Sequence, residues 1–141
     1  MAEYTANAVQ TVNSNQNVIF TDAVICGNKS IVHRDDSGIV SLRGITSCQC
    51  RARFRIYFNG NIAIPSTGTV APISLAIAIN GEPVASAVMT STSSATATFN
   101  NVSSSIFVDV PAGCCTPISI INTTSQAISV RNANLLVERV A

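Results

Sequence analysis

The sequence predicts an all-β protein, a jelly-roll β-sandwich of about nine or ten short antiparallel strands in two sheets. Three observations carry that expectation. Apolar residues recur with period two and almost nowhere with the helical period. Gly, Pro, Asn and Asp cluster between the apolar runs, where a chain of short strands must turn. Hydrophobic residues make up 47% of the 141 residues while charged residues make up only 11%, so there is enough apolar surface for a real core. A chain of this length forms one domain over residues 1–141 and buries roughly 68–70% of its unfolded surface.

In chain order, residues 1–12 read as an extended N-terminal arm. Short β-branched or aromatic runs follow at 18–21, 31–33 and 39–42, with turn signals at Cys26-Gly27-Asn28 and Asp36-Ser37-Gly38 between them. The clearest strand is 51–58. Ala52, Phe54, Ile56 and Phe58 point one way and Arg51, Arg53, Arg55 and Tyr57 the other, the alternation of a half-buried strand. Residues 73–80 repeat the pattern, with Ile73, Leu75, Ile77 and Ile79 opposite Ser74, Ala76, Ala78 and Asn80. Asn80-Gly81 then supplies the two positive-φ residues of a type I′ hairpin, and 84–89 returns.

Residues 90–98, rich in Ser, Thr and Ala, read as an edge strand and loop, with 95–99 a weaker strand candidate. Ile106, Val108 and Val110 alternate with Ser105, Phe107 and Asp109, and 117–121 adds another run. The closing segment 128–140 is apolar in two phases, Ile128 and Val130 in one, Leu135 and Val137 in the other. That pattern requires either a bulge near Asn132 or burial on both faces. So many strands need two packed layers or a barrel.

Eight basic against seven acidic residues leave a net charge of +1, with no basic stripe or tail, so no nucleic-acid partner is expected. The phenylalanines of 51–58 lie opposite its arginines, which suits a core rather than a base-stacking platform. No apolar stretch reaches the roughly 18 residues of a membrane helix, so no membrane insertion is expected. Met1-Ala2-Glu3-Tyr4 has neither the basic nor the apolar region of a signal peptide, which implies synthesis in the cytoplasm. The polarity missing from the charge count comes from Ser, Thr and Asn, a surface suited to packing against neighbouring subunits.

Catalytic chemistry is not written in the chain. His33 is the one histidine. There is no nucleophile elbow, phosphate loop, dinucleotide fingerprint or zinc-protease motif. No enzyme activity and no cofactor are expected. Asp35-Asp36 beside Ser37-Gly38 reads as a polar turn, since a calcium loop needs many more oxygen ligands at set spacing. The sequons at Asn28, Asn101 and Asn122 are expected in a chain so rich in Asn, Ser and Thr. Five cysteines, Cys26, Cys48, Cys50, Cys114 and Cys115, are odd in number and include an adjacent pair, unlike a secreted disulfide framework. They read first as small buried hydrophobes. Disulfides between subunits, or a metal held by Cys48, Cys50, Cys114 and Cys115, are the alternatives, although zinc pairs favour wider spacing.

The layout of Val18-Ile-Phe, Gly38-Ile-Val-Ser-Leu-Arg, 51–58, 73–80, 105–110 and 133–140 resembles the C1q/TNF-like jelly roll over roughly residues 12–140. It also resembles short β-sandwich proteins encoded in prophages of Gram-positive bacteria. The resemblance implies a homotrimer with one sheet facing the threefold axis, serving as a knob, fibre head or particle decoration. The collagen-like stalk that often precedes such domains is not in this sequence. The implied strand order places 51–58 between 105–110 and 133–140. Arg51, Arg53, Arg55 and Tyr57 then share a face with Phe107, Asp109 and Glu138. Arginines and aromatics are enriched at interfaces; a merely solvated face is the alternative. Arginines buried there require carboxylate or carbonyl partners from the next subunit.

The expected function is structural and non-catalytic: a homotrimeric virion component such as a phage head fibre or capsid decoration protein, whose partners are itself and other virion proteins. The alternatives are a module binding a host-surface carbohydrate or protein, and a subunit of a self-assembling extracellular filament in which the N-terminal residues reach the next copy.

Overall fold

The alternation that begins at Arg51 runs on to Ala63 in the computed structural model, which describes residues 1–34, 36–46 and 49–141. This long strand is the sixth of eleven: β1 (Ala2–Ala6), β2 (Gln10–Val12), β3 (Asp22–Ile25), β4 (Ile31–His33), β5 (Val40–Arg43), β6 (Arg51–Ala63), β7 (Ile73–Ile79), β8 (Glu82–Ser91), β9 (Asn100–Pro111), β10 (Cys115–Asn122) and β11 (Ile128–Arg139). One sheet has the order β3-β1-β11-β6-β9, with β2 also pairing with β11; the other has the order β4-β5-β10-β7-β8. Every strand pairing is antiparallel. No helix forms among the described residues.

The core fills the space between the two sheets. Phe54, Ile56, Phe58 and Ile62 enter it from β6, Leu135 and Val137 from β11, Ile73, Leu75 and Ile77 from β7, and Ile118 and Ile120 from β10. Each such side chain contributes about 1.5–3 kcal/mol when fully buried. Phe20 meets the Phe58 ring edge-on, with centroids 6.4 Å apart.

The two phases of β11 are reconciled by a bulge. Asn132 has φ 53°, and the register with β6 shifts between Arg131, opposite Asn61, and Asn134, opposite Asn59. The extra residue returns Ala133, Leu135 and Val137 to the same core that Ile128 and Val130 enter. Gly60 sits across from the bulge, where an added Cβ would stand 3.1 Å from the Phe58 ring. The β7–β8 hairpin turns as its sequence demands, with φ 54° at Asn80 and 81° at Gly81.

Other segments differ from the sequence expectation. Residues 1–12 are extended, but they lie within the fold: β1 is flanked by β11 and β3, and Ala2, Tyr4, Ala6 and Val12 are core residues. Strand β3 was not expected, because all four of its residues are exposed and no alternation marks it. Residues 18–21 form no strand. Val18 and Phe20 are buried anchors, held through the bond from Val18 N–H to the Ile120 carbonyl (2.8 Å). Thr90 and Ser91 end edge strand β8, but 95–99 is a loop with φ 58° at Ala97. The cysteine expectation is corrected too: Cys26, Cys50, Cys114 and Cys115 are exposed free thiols. They occupy turns and strand ends, where no second sheet covers them. Cys48 lies outside the described residues, as does Asp35 of the polar turn.

Candidate self-association face

β11, β6 and β9 lie side by side, and the face they turn away from the core gathers the residues singled out in the sequence. Glu138, Arg55 and Phe107 form one row across the three strands; Leu136, Tyr57 and Ser105 form the next. On the other side of the first row Arg53 opposes Asp109, and Arg51 opposes Pro111. Arg51, Arg53, Arg55, Tyr57, Phe107, Asp109 and Glu138 therefore share one surface. Phe107 is 64% exposed, an unusual state for an aromatic side chain on a regular strand.

The electrostatics of the face are uneven. Arg53 Nε donates to Asp109 Oδ1 at 2.7 Å, and its Nη2 donates to Oδ2 at 3.0 Å. Arg51 Nε stands 3.4 Å from the same carboxylate. The Arg53 hydrogen bond, aided by the charges of both arginines, holds the Asp109 carboxyl below its ordinary range. That bond and the Asp109 charge push the Arg53 guanidinium further up. Arg53 thus has its carboxylate from its own chain, which corrects the expectation that the next subunit must supply it. Arg55 differs. It faces Glu138 across the strand pair, yet no ion pair joins it to any carboxylate among the described residues.

Beyond Tyr57 the same face changes character. Asn101 Nδ2 donates to Asn61 Oδ1 at 3.2 Å, and Asn61 Nδ2 donates to Asn132 Oδ1 at 3.3 Å. Asn134 Nδ2 donates to Glu3 Oε2 at 2.9 Å. The Arg131 guanidinium lies over the Phe99 ring at 4.0 Å. The sequence reading missed this amide ladder. The signal was present in β6, where Asn59 and Asn61 continue the outward phase past Phe58.

A cavity of about 590 Å³ at the Arg51 end is lined by Gln49, Cys50, Arg51, Arg53 and Ala141. His33 bonds the Ser37 carbonyl through Nε2 (2.9 Å). No three His, Cys, Asp or Glu side chains group around a possible metal position among the described residues.

No protein-family model and no curated protein sequence matches the chain. Solved structures do. The globular domain of a zebrafish complement 1qA protein is 14% identical with a TM-score of 0.62, covering 96% of this chain and 94% of its own. The Eiger TNF of S. frugiperda is 13% identical with a TM-score of 0.72, covering 99% and 91%. Murine APRIL at pH 5.0 is 10% identical with a TM-score of 0.66, covering 97% and 98%. At such identities the likeness speaks for the fold alone: two antiparallel sheets joined as a C1q/TNF-like jelly roll.

Proposed function

We propose that this protein is a non-catalytic structural module that assembles as a homotrimer through the outer face of β11, β6 and β9, and that it serves on a virion as a head fibre or capsid decoration. The observation that carries self-association is the row Glu138–Arg55–Phe107. It joins an exposed aromatic ring to a cation and a carboxylate that form no ion pair among the described residues. Burying a phenylalanine contributes about 1.5–3 kcal/mol per copy, and Arg55 and Glu138 can pair between copies. The resemblance to trimer-forming jelly rolls supports the threefold state. The low charge and the Ser, Thr and Asn content support a life within an assembly. The virion setting rests on the resemblance to prophage-encoded sandwiches.

Mass measurement in native buffer is expected to give three times the chain mass. A monomer at micromolar concentration overturns the assembly. Immunogold labelling of phage particles purified after induction of a strain that carries the gene tests the setting. Label on the particles is expected, and bare particles beside free trimers overturn the virion role alone.

A further inference from the structure

Two buried side-chain polar atoms among the described residues have no hydrogen-bond partner, Tyr4 Oη and His33 Nδ1. They belong to neighbouring rings whose centroids are 4.4 Å apart. Tyr4 is 2% exposed. Buried polar groups are almost always paired, so two such atoms side by side ask for a physical reason.

The tautomer of His33 follows from its other nitrogen. Nε2 lies 2.9 Å from the Ser37 carbonyl oxygen. A carbonyl can only accept, so Nε2 carries the proton, and in the neutral ring Nδ1 presents a bare lone pair. A metal-binding imidazole is held in the same way, its remote N–H donating to a backbone carbonyl. Tyr4 and His33 line a cavity of about 290 Å³ together with Ala23, Cys26, Gly27, Asn28, Ile31 and Val32. Gly27 covers the phenol closely: a Cβ there would stand 2.9 Å from Tyr4 Oη. The glycine lets the turn carrying Cys26 approach the Tyr4 phenol.

We propose that Cys26, His33 and Tyr4 form a site for one thiophilic metal ion of low coordination number, Cu⁺ in type, ligated by the Cys26 sulfur and His33 Nδ1. Thiolate and imidazole together suit copper. On binding, the Cys26 thiol releases its proton to solvent and the sulfur–metal bond forms in its place, with no change of oxidation state. The Tyr4 O–H donates to the metal-bound thiolate, so a single ion supplies a partner for both orphaned atoms. The site lies between β1, β4 and the turn after β3, separate from the face of β11, β6 and β9, and does not depend on trimer formation.

The test removes the other thiols first, with Cys48, Cys50, Cys114 and Cys115 all changed to Ser. Cu⁺ is then offered anaerobically in competition with a chromophoric chelator. One equivalent is expected to bind, with the His33 Nδ1 resonance displaced in ¹⁵N NMR. Cys26→Ser and His33→Gln in that background are each expected to weaken binding at least tenfold, with unchanged circular dichroism. No retained copper, or binding through Cys26 that is indifferent to His33→Gln, overturns the proposal. Should His33→Gln not fold, an unmoved Nδ1 resonance in the parent overturns it equally.

Discussion

Asp109 receives Arg53 through both carboxylate oxygens, at 2.7 and 3.0 Å, across the β6–β9 pair. This internal pairing makes Arg53 part of the sheet's own surface, whereas Arg55, one row along, forms no ion pair among the described residues.

The pair sets a pH dependence whose sign is fixed. Asp109 has its carboxyl pKa depressed in the folded chain, so its contribution to stability is complete above the unfolded pKa and is lost as pH falls through the folded one. Both groups are exposed, so the effect is small and weakened by salt. Thermal melts of wild type and Asp109→Asn are expected to differ slightly at neutral pH in low salt and to converge in acid. A difference that persists undiminished below both pKa values contradicts this account.

Assembly is expected to respond to Phe107 and Arg55. Phe107→Asp removes the exposed ring and places a charge where it would be buried, and sedimentation at micromolar concentration is expected to show monomers. Arg55→Glu weakens assembly, and adding Glu138→Arg restores it in part, because the swapped charges pair again between copies. Arg53→Glu is a poorer probe, since it sets a carboxylate against Asp109 within the chain. If both Phe107→Asp and Arg55→Glu remain fully trimeric, the interface lies elsewhere.

Phe58→Ala is expected to destabilise the fold by about 3–5 kcal/mol in urea titration. The ring is fully buried and meets Phe20 edge-on, and it also packs against Gly60 opposite the bulge. A loss under about 1 kcal/mol would mean that the core collapses freely around the missing ring.

Gly81→Ala isolates a backbone cost. Nothing lies within 4 Å of an added Cβ, yet φ is 81°. The expected loss is about 1–2 kcal/mol, from the steric penalty of a left-handed L-residue alone. An unchanged urea midpoint would show that the turn adopts another type.

Tyr4→Phe tests the orphaned hydroxyl in metal-free protein. Removing a buried donor that has no partner is expected to leave stability unchanged or raise it by about 1 kcal/mol. A clear loss would show that Oη has a partner in solution.

Much of this architecture was legible because strand geometry is local. The two faces of 51–58 follow from a backbone that turns each successive side chain to the opposite side, and Asn80-Gly81 names its turn because few residues tolerate two positive φ values. The candidate face was legible in part for the same reason, since Arg51, Arg53, Arg55 and Tyr57 share a phase whatever strands lie beside them. Asn59 and Asn61 share it too and were overlooked.

What the sequence by itself determined was which residues point together along each strand and where the chain turns. The tertiary structure alone decided which strands are neighbours and in what register. It placed β1 inside the sheet, chose the bulge at Asn132 over burial on both faces, and exposed the thiols of Cys26, Cys50, Cys114 and Cys115. It also gave Arg53 a carboxylate 56 positions away. The physical reason is register. A slip of one residue would turn every outward side chain of β9 inward, and that alignment is set by packing the two sheets over a common core, not by any local run of residues.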